Sequence, residues 1–294
     1  MVTAHCTEDD WVRRWLARWP VPRNLTVGAG DDCAVLPAPD AGYDLVLKTD
    51  AIVQDVHFTL ADPPRRIGAK AVNRVLSDFA AMGAEPLTLT VSVGLPRHQD
   101  PALVAQCYAG MARAAAPYRV SLAGGETTRA AELWFSVSGL GRVPRGRAVR
   151  RATAAPGDRL LVTGTLGGAP RNGKHLTFTP RLAEGRWLAE HRFATAMLDL
   201  SDGLGKDLPR LAAASRLGFT LDAAALPLTR GCDPAAAVND GEDYELLFTV
   251  RPRRLPALLR TWPFATQLTP IGRLTRPGDV NTDGLIFRGY DHFD

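Results

Sequence analysis

Five times along this chain a carboxylate closes an apolar run or interrupts an apolar face, at Asp32, Asp50, Asp78, Glu126 and Asp202. A buried ionised carboxylate is costly unless it is paired or bound to a metal. One such acid is satisfied by a solvated turn or an arginine. Five of them call for a set of cationic partners or for a shared cation site, and this restricts the folds available. The central stretch is Leu45-Val-Leu47, an apolar run read as a short buried strand that stops at Lys48-Thr49-Asp50. A second apolar segment follows and carries His57 and Phe58. Ligands gather at strand ends in α/β sheets, so a strand that stops on a carboxylate is a candidate metal or phosphate site.

The length of 294 residues suits two domains or one large one. There is no stretch of ~18 uncharged apolar residues and no apolar signal core before Trp19, so neither a membrane span nor a membrane partner is expected, and the cytoplasm is the expected location. The net charge of +4 comes with arginines scattered rather than clustered among aromatics. That pattern argues against nucleic acid and suits phosphorylated substrates. Cys6, Cys33, Cys107 and Cys232 form no CxxC pair, which argues against zinc and against a disulfide framework.

Trp11, Trp15 and Trp19 place a packing stripe on a helix over residues 8–19. Residues 28–36 read as a glycine turn carrying Asp31 and Asp32, then a short strand. Residues 66–83 read as a helix with Ile67, Ala71, Val75 and Met82 as its apolar stripe and Asp78 on that same face. Strands are expected at 87–95, 120–123, 133–140, 159–163, 195–200 and 243–250. A helix is expected from Pro101, and another from about 203 to 217 with Pro209 marking a new first turn or a kink. The Arg-, Pro- and Gly-rich segment 143–158 is the candidate boundary, giving domains over 1–145 and 146–294. Alternating strands and helices in both halves indicate an α/β or α+β class.

An all-carboxylate ligand set favours a hard divalent ion, magnesium in a cell, which bridges phosphates in turn. Glycines beside Asp32, Glu126 and Asp202 leave backbone N–H groups open to phosphate oxygens. Together these features suggest phosphoryl transfer from a nucleoside triphosphate. Gly168-Ala-Pro-Arg-Asn-Gly173-Lys174-His175 nearly matches a P-loop, but His175 stands where the magnesium-binding hydroxyl is required, so that reading is rejected.

Taken in order, several segments resemble the thiamine-monophosphate kinases of the AIR-synthase (PurM-like) superfamily. They are Gly30-Asp-Asp-Cys-Ala-Val, Thr49-Asp50 with Val56-His57-Phe58, Leu76-Ser-Asp-Phe-Ala-Ala-Met-Gly-Ala-Glu-Pro86, Gly124-Gly-Glu-Thr-Thr-Arg129, Ser201-Asp-Gly-Leu204 with Asp207, Gly241-Glu-Asp-Tyr-Glu-Leu-Leu-Phe248 and Gly289-Tyr-Asp-His-Phe293. The resemblance implies a two-domain fold, a homodimer formed through the N-terminal sheet, and ATP in the groove between the halves. It implies ATP-dependent conversion of thiamine monophosphate to thiamine diphosphate with several magnesium ions. Carried over by position, Asp32, Thr49, Asp50, Asp78, Glu126, Asp202 and Asp207 hold metal, with Asp50, Asp78 and Asp202 at the chemistry. Gly125, Glu126, Arg151, Ser201 and Asp207 meet ATP, and His57, Glu242 and Tyr290 line the thiamine phosphate pocket. An acid and a ring suit a cationic thiazolium; packing alone is the alternative for His57 and Tyr290. Glu126 replaces the family's usual Asp, Lys48 replaces a small hydroxyl residue, and Val75 replaces a frequent Asn. Another ATP-using enzyme of the superfamily, or a nucleotide-binding paralogue without turnover, is the competing reading.

Overall fold

The computed structural model describes residues 26–27, 31–38 and 42–291. The tryptophan stripe, Cys6, Gly28, Gly30 and Phe293 lie outside them. The first half builds a five-stranded sheet from β1 (Ala34–Pro37), β2 (Tyr43–Val53), β3 (Glu85–Leu95), β4 (Ser121–Arg129) and β5 (Trp134–Pro144), in the order β1-β2-β5-β3-β4. Only β3 and β4 pair in parallel. Strand alternation sends Val46, Ile52, Phe135 and Val137 to one buried face, which helix α1 (Pro64–Ala81) covers with Val75 and Phe79. The other face leaves Leu47, Thr49 and Ala51 exposed. Helix α2 (Pro101–Ala115), capped by Asp100, packs on α1, where Gly68 and Gly110 let the two backbones approach.

The second half builds a six-stranded sheet from β6 (Arg159–Thr163), β7 (Ala194–Asp199), β8 (Gly218–Leu221), β9 (Leu246–Val250), β10 (Leu268–Thr275) and β11 (Val280–Asn281), in the order β11-β8-β10-β6-β9-β7. Helices α3 (Ala169–Asn172), α4 (Leu182–Glu190), α5 (Leu204–Ala214), α6 (Pro234–Asn239) and α7 (Leu255–Thr261) flank it. The class is mixed α/β. One hydrophobic cluster crosses between the halves, joining Phe79 and Phe135 to Leu188, Phe193, Met197 and Phe248.

Four expectations are corrected. β2 does not stop at Lys48-Thr49-Asp50; it continues to Val53, with Asp50 opposite Val137 in mid-strand. The polar residues 48 and 50 share the covered face with Val46 and Ile52, and partners on α1 satisfy them, so the ladder has no reason to end. β4 likewise runs through Gly124-Gly125 instead of stopping at residue 123. There a Cβ on Gly125 would lie 1.8 Å from the Val91 carbonyl oxygen, so only glycine fits against β3. α5 continues through Pro209, its buried Leu204, Leu208 and Leu211 offsetting the lost backbone bond. β9 begins at Leu246 and not at Asp243, because Glu242 and Tyr244 take left-handed conformations (φ 55° and 49°) that a ladder does not admit.

The two halves touch closely where α4 crosses α1. A Cβ on Gly185 would meet the Ala80 carbonyl oxygen at 2.0 Å. Gly185→Ala is expected to lower the unfolding free energy by roughly 1–3 kcal/mol through overpacking, measured as a reduced urea midpoint. An unchanged midpoint would show that the joint between the halves yields.

Candidate active site

Three buried acids from distant parts of the chain meet at the junction. Asp32 precedes β1, Asp78 sits on the covered face of α1, and Asp199 ends β7; one oxygen from each lies within 4.8 Å of the others. Each carries a link to a different element. Arg151 grips Asp32 with a two-pronged contact, Nη2 to Oδ1 at 2.8 Å and Nε to Oδ2 at 3.0 Å. Lys48 Nζ lies 2.8 Å from Asp78 Oδ1. Ser77 Oγ donates to Asp199 Oδ2 at 2.6 Å, tying α1 to the second sheet. Burial, with Asp32 alongside, pushes the Asp199 carboxyl up to about 7. Burial also raises Asp78 well above the carboxylate range, although Lys48 opposes the rise. Burial works against the charge on Lys48, but Asp78 and Asp50 outweigh it and hold the ammonium protonated. A buried set offering only carboxylate oxygens fits a hard divalent cation, which would relieve the mutual repulsion.

The other expected donors are placed differently. Arg74 forks onto Asp50 (Nη2 to Oδ1 3.1 Å, Nε to Oδ2 3.2 Å), while Asp50 still adds to the field on Asp78. Thr49 points to the opposite face of β2, where its hydroxyl accepts from Ser138 Oγ at 3.0 Å. Glu126 lies exposed on β4, beside Gly125, and accepts from the Thr127 backbone N–H at 3.0 Å. Asp202 and Asp207 form a second group at the start of α5. Arg210 Nη1 contacts both, at 2.5 and 3.2 Å, and the Asp202 N–H donates to Asp207 at 3.0 Å. Burial, with Asp202 beside it, pushes the Asp207 carboxyl up to about 8.

One cleft gathers His57, Arg74, Ser201, Asp202, Glu242, Tyr244 and Tyr290. His57 Nδ1 accepts from the Val53 N–H at 3.2 Å, which leaves the ring proton on Nε2. The Glu242 N–H donates to the Ser201 carbonyl at 2.7 Å and the Tyr290 N–H to the Asp202 carbonyl at 2.9 Å, so one short loop seats both residues. Tyr244 stacks on Phe178 at 3.9 Å and closes the floor. The cleft and the acid cluster are neighbours through α1, since Arg74 and Asp78 stand one helical turn apart.

Two residues of this site were not singled out by the sequence pattern. Asp199 carries the same signal as the others, an acid inside the apolar run 196–200, but the glycine after Asp202 drew the reading three residues downstream. Lys70 interrupts the apolar face of α1 as Asp78 does. It is wholly buried, donates to the His57 carbonyl at 2.6 Å and pairs with Glu242 Oε1 at 2.6 Å, fixing two walls of the cleft at once. In the rejected P-loop segment, Lys174 Nζ bonds to the Thr165 carbonyl at 2.8 Å and pairs with Glu245 at 3.1 Å.

A family model described as "AIR synthase related protein, N-terminal domain" matches residues 30–143. The chain is 34% identical to the thiamine-monophosphate kinases of Salmonella typhimurium and of Escherichia coli K12, covering 98% of each chain in both comparisons. Among solved structures it is similar to "AaThiL complexed with AMPPCP and TMP" (TM-score 0.84, 27% identity, 99% of both chains). It is also similar to the thiamine-monophosphate kinase of Stenotrophomonas maltophilia K279a (TM-score 0.77, 34% identity, 94% of this chain and 95% of that one).

The raised carboxyls predict a pH dependence. Without metal, the native state holds protons on Asp199 and Asp207 that the unfolded chain has already released, so native binds more protons between about pH 4 and pH 8. The stability these groups contribute is complete below that window and lost as pH rises through it. In chelator, the fall in Tm between pH 5 and pH 8 is expected to shrink in Asp199→Asn; an equal fall in both proteins would place the titration elsewhere.

Proposed function

Because the chain belongs to the thiamine-monophosphate kinase family, we propose that it phosphorylates thiamine monophosphate to thiamine diphosphate with ATP, by direct in-line transfer, in the cytoplasm. The observation that carries this reading is the convergence of His57, Glu242 and Tyr290 on one cleft, a helical turn away from the buried acids Asp32, Asp78 and Asp199. A structural relative complexed with an ATP analogue and TMP supports the choice of donor and acceptor.

Each side chain then has a defined task. The Glu242 carboxylate and the Tyr290 ring attract a cationic thiazolium by charge and by the ring quadrupole. Lys70 holds Glu242 and the His57 loop in place, so the acceptor enters a preformed site. His57 offers its Nε2 proton to an acceptor oxygen, and Arg74 presents a guanidinium at the cleft wall. Arg151, which forks onto Asp32, meets the ATP phosphates in this reading. Asp32, Asp78 and Asp199 would hold magnesium, which would supply charge neutralisation and alignment of the transferred group. Alignment and neutralisation are the larger part of catalysis in phosphoryl transfer, so no strong general base is required.

The chain forms a homodimer in this reading. The bare face of the first sheet, with Leu47 at 47% exposure, supports a second copy as its cover.

With ATP and magnesium, purified protein is expected to release thiamine diphosphate from thiamine monophosphate, followed by chromatography. Asp78→Asn should cut kcat by roughly 100-fold or more with the fold retained by circular dichroism. ATP binding without product would favour the paralogue lacking turnover. Leu47→Glu should shift the mass measured by light scattering from dimer to monomer; an unchanged mass would assign the dimer contact to another surface.

A further inference from the structure

Charge is compensated in an uneven way around the acid cluster. Asp32 has the Arg151 fork, Asp50 has the Arg74 fork, and Asp78 has the Lys48 ammonium. Asp199 accepts from the Ser77 hydroxyl and has no ion-pair partner among the described residues. Lys48 differs from the two arginines in kind. A guanidinium is a planar fork that occupies both oxygens of one carboxylate, whereas an ammonium is a compact, strongly hydrated point charge that serves several acids at once. The surroundings match that difference. Lys48 touches Asp78 at 2.8 Å and acts electrostatically on Asp50 and on Asp199, three acids from β2, α1 and β7. Its own strand β2 carries it into the point where these elements converge, on the covered face between Val46 and Asp50.

A second divalent ion on the Asp78 carboxylate, besides one shared with Asp32 and Asp199, would need the position that this ammonium holds. Two positive centres packed within a few ångströms repel strongly where water is excluded. We propose that Lys48 is a tethered cation that takes the place of one divalent ion in this site, so that the chain binds its nucleotide with one metal fewer than it would with a neutral residue at position 48. The proposal rests on the kinase reading for the nucleotide, but its evidence is the placement of Lys48.

The test counts ions instead of turnover. Mn2+ bound at saturation in the presence of a non-hydrolysable ATP analogue is titrated by the loss of the free-ion electron paramagnetic resonance signal. Lys48→Thr, which supplies a neutral oxygen donor, is expected to bind about one more Mn2+ per chain than the unmodified protein. Lys48→Gln carries the same expectation in case the threonine variant does not fold, with circular dichroism as the check. Lys48→Arg, which keeps the charge, should leave the count unchanged. Equal counts in the folded neutral variant and the unmodified protein overturn the proposal, whatever the turnover. A gain of one ion in a protein that makes no thiamine diphosphate leaves the tethered cation standing and overturns the kinase reading alone.

Discussion

Helix α1 presents a row of polar groups to the inside of the molecule, and the site is arranged around that row. Lys70, Arg74, and Ser77 with Asp78 occupy three successive turns of an inward face that also carries the buried Ile67, Val75 and Phe79. A polar group buried this way persists only with a partner, and each has found one outside the helix: the His57 carbonyl and Glu242, Asp50, Asp199, and Lys48. Those five contacts reach β2, the loop after it, β7 and the segment before β9. The need to satisfy one helix face therefore brings the first sheet, the second sheet and the cleft wall to one place.

The price of that arrangement is visible in the carboxylates. Asp78, Asp199 and Asp207 are all held above the usual carboxylate range, because burial penalises their charge more than the neighbouring cations relieve it. A site under such tension binds positive charge readily, whether from a metal ion or from a basic side chain. The left-handed backbone at Glu242 and Tyr244 is a second local cost, and it seats those two side chains in the cleft. The shared hydrophobic core between the halves supplies the rigidity against which both costs are set.

Much of the architecture was legible from pattern. Apolar runs located the strands at 159–163 and 87–95 nearly to the residue, and the apolar stripe located α1 with Asp78 on its inner face. Strand ends were less legible. The end of β2 reads as Lys48 because a lysine, a threonine and an aspartate in succession look like the start of a turn. Their alternate facing, with Thr49 outward and its two neighbours inward, is invisible until the partners on α1 are known. The site was legible in part for the same reason. Asp78 stands out because it breaks an apolar helix face and Asp32 because a glycine turn presents it before a strand, while Asp199 breaks an apolar run too but lies beside the more conspicuous Asp202.

By itself the sequence determined that buried acids would recur, that none of them would be cheap, and that cations of some kind must answer them, since those consequences follow from residue type and local period alone. Only the tertiary structure decided which acids share a space and which cation each one meets. Asp199 joins Asp32 and Asp78, Asp50 goes to Arg74, Glu126 stays on an exposed edge, and Lys48 stands among the acids. These outcomes depend on the side to which each residue of a strand or helix turns, and on the register at which distant elements pack, which short-range pattern does not encode.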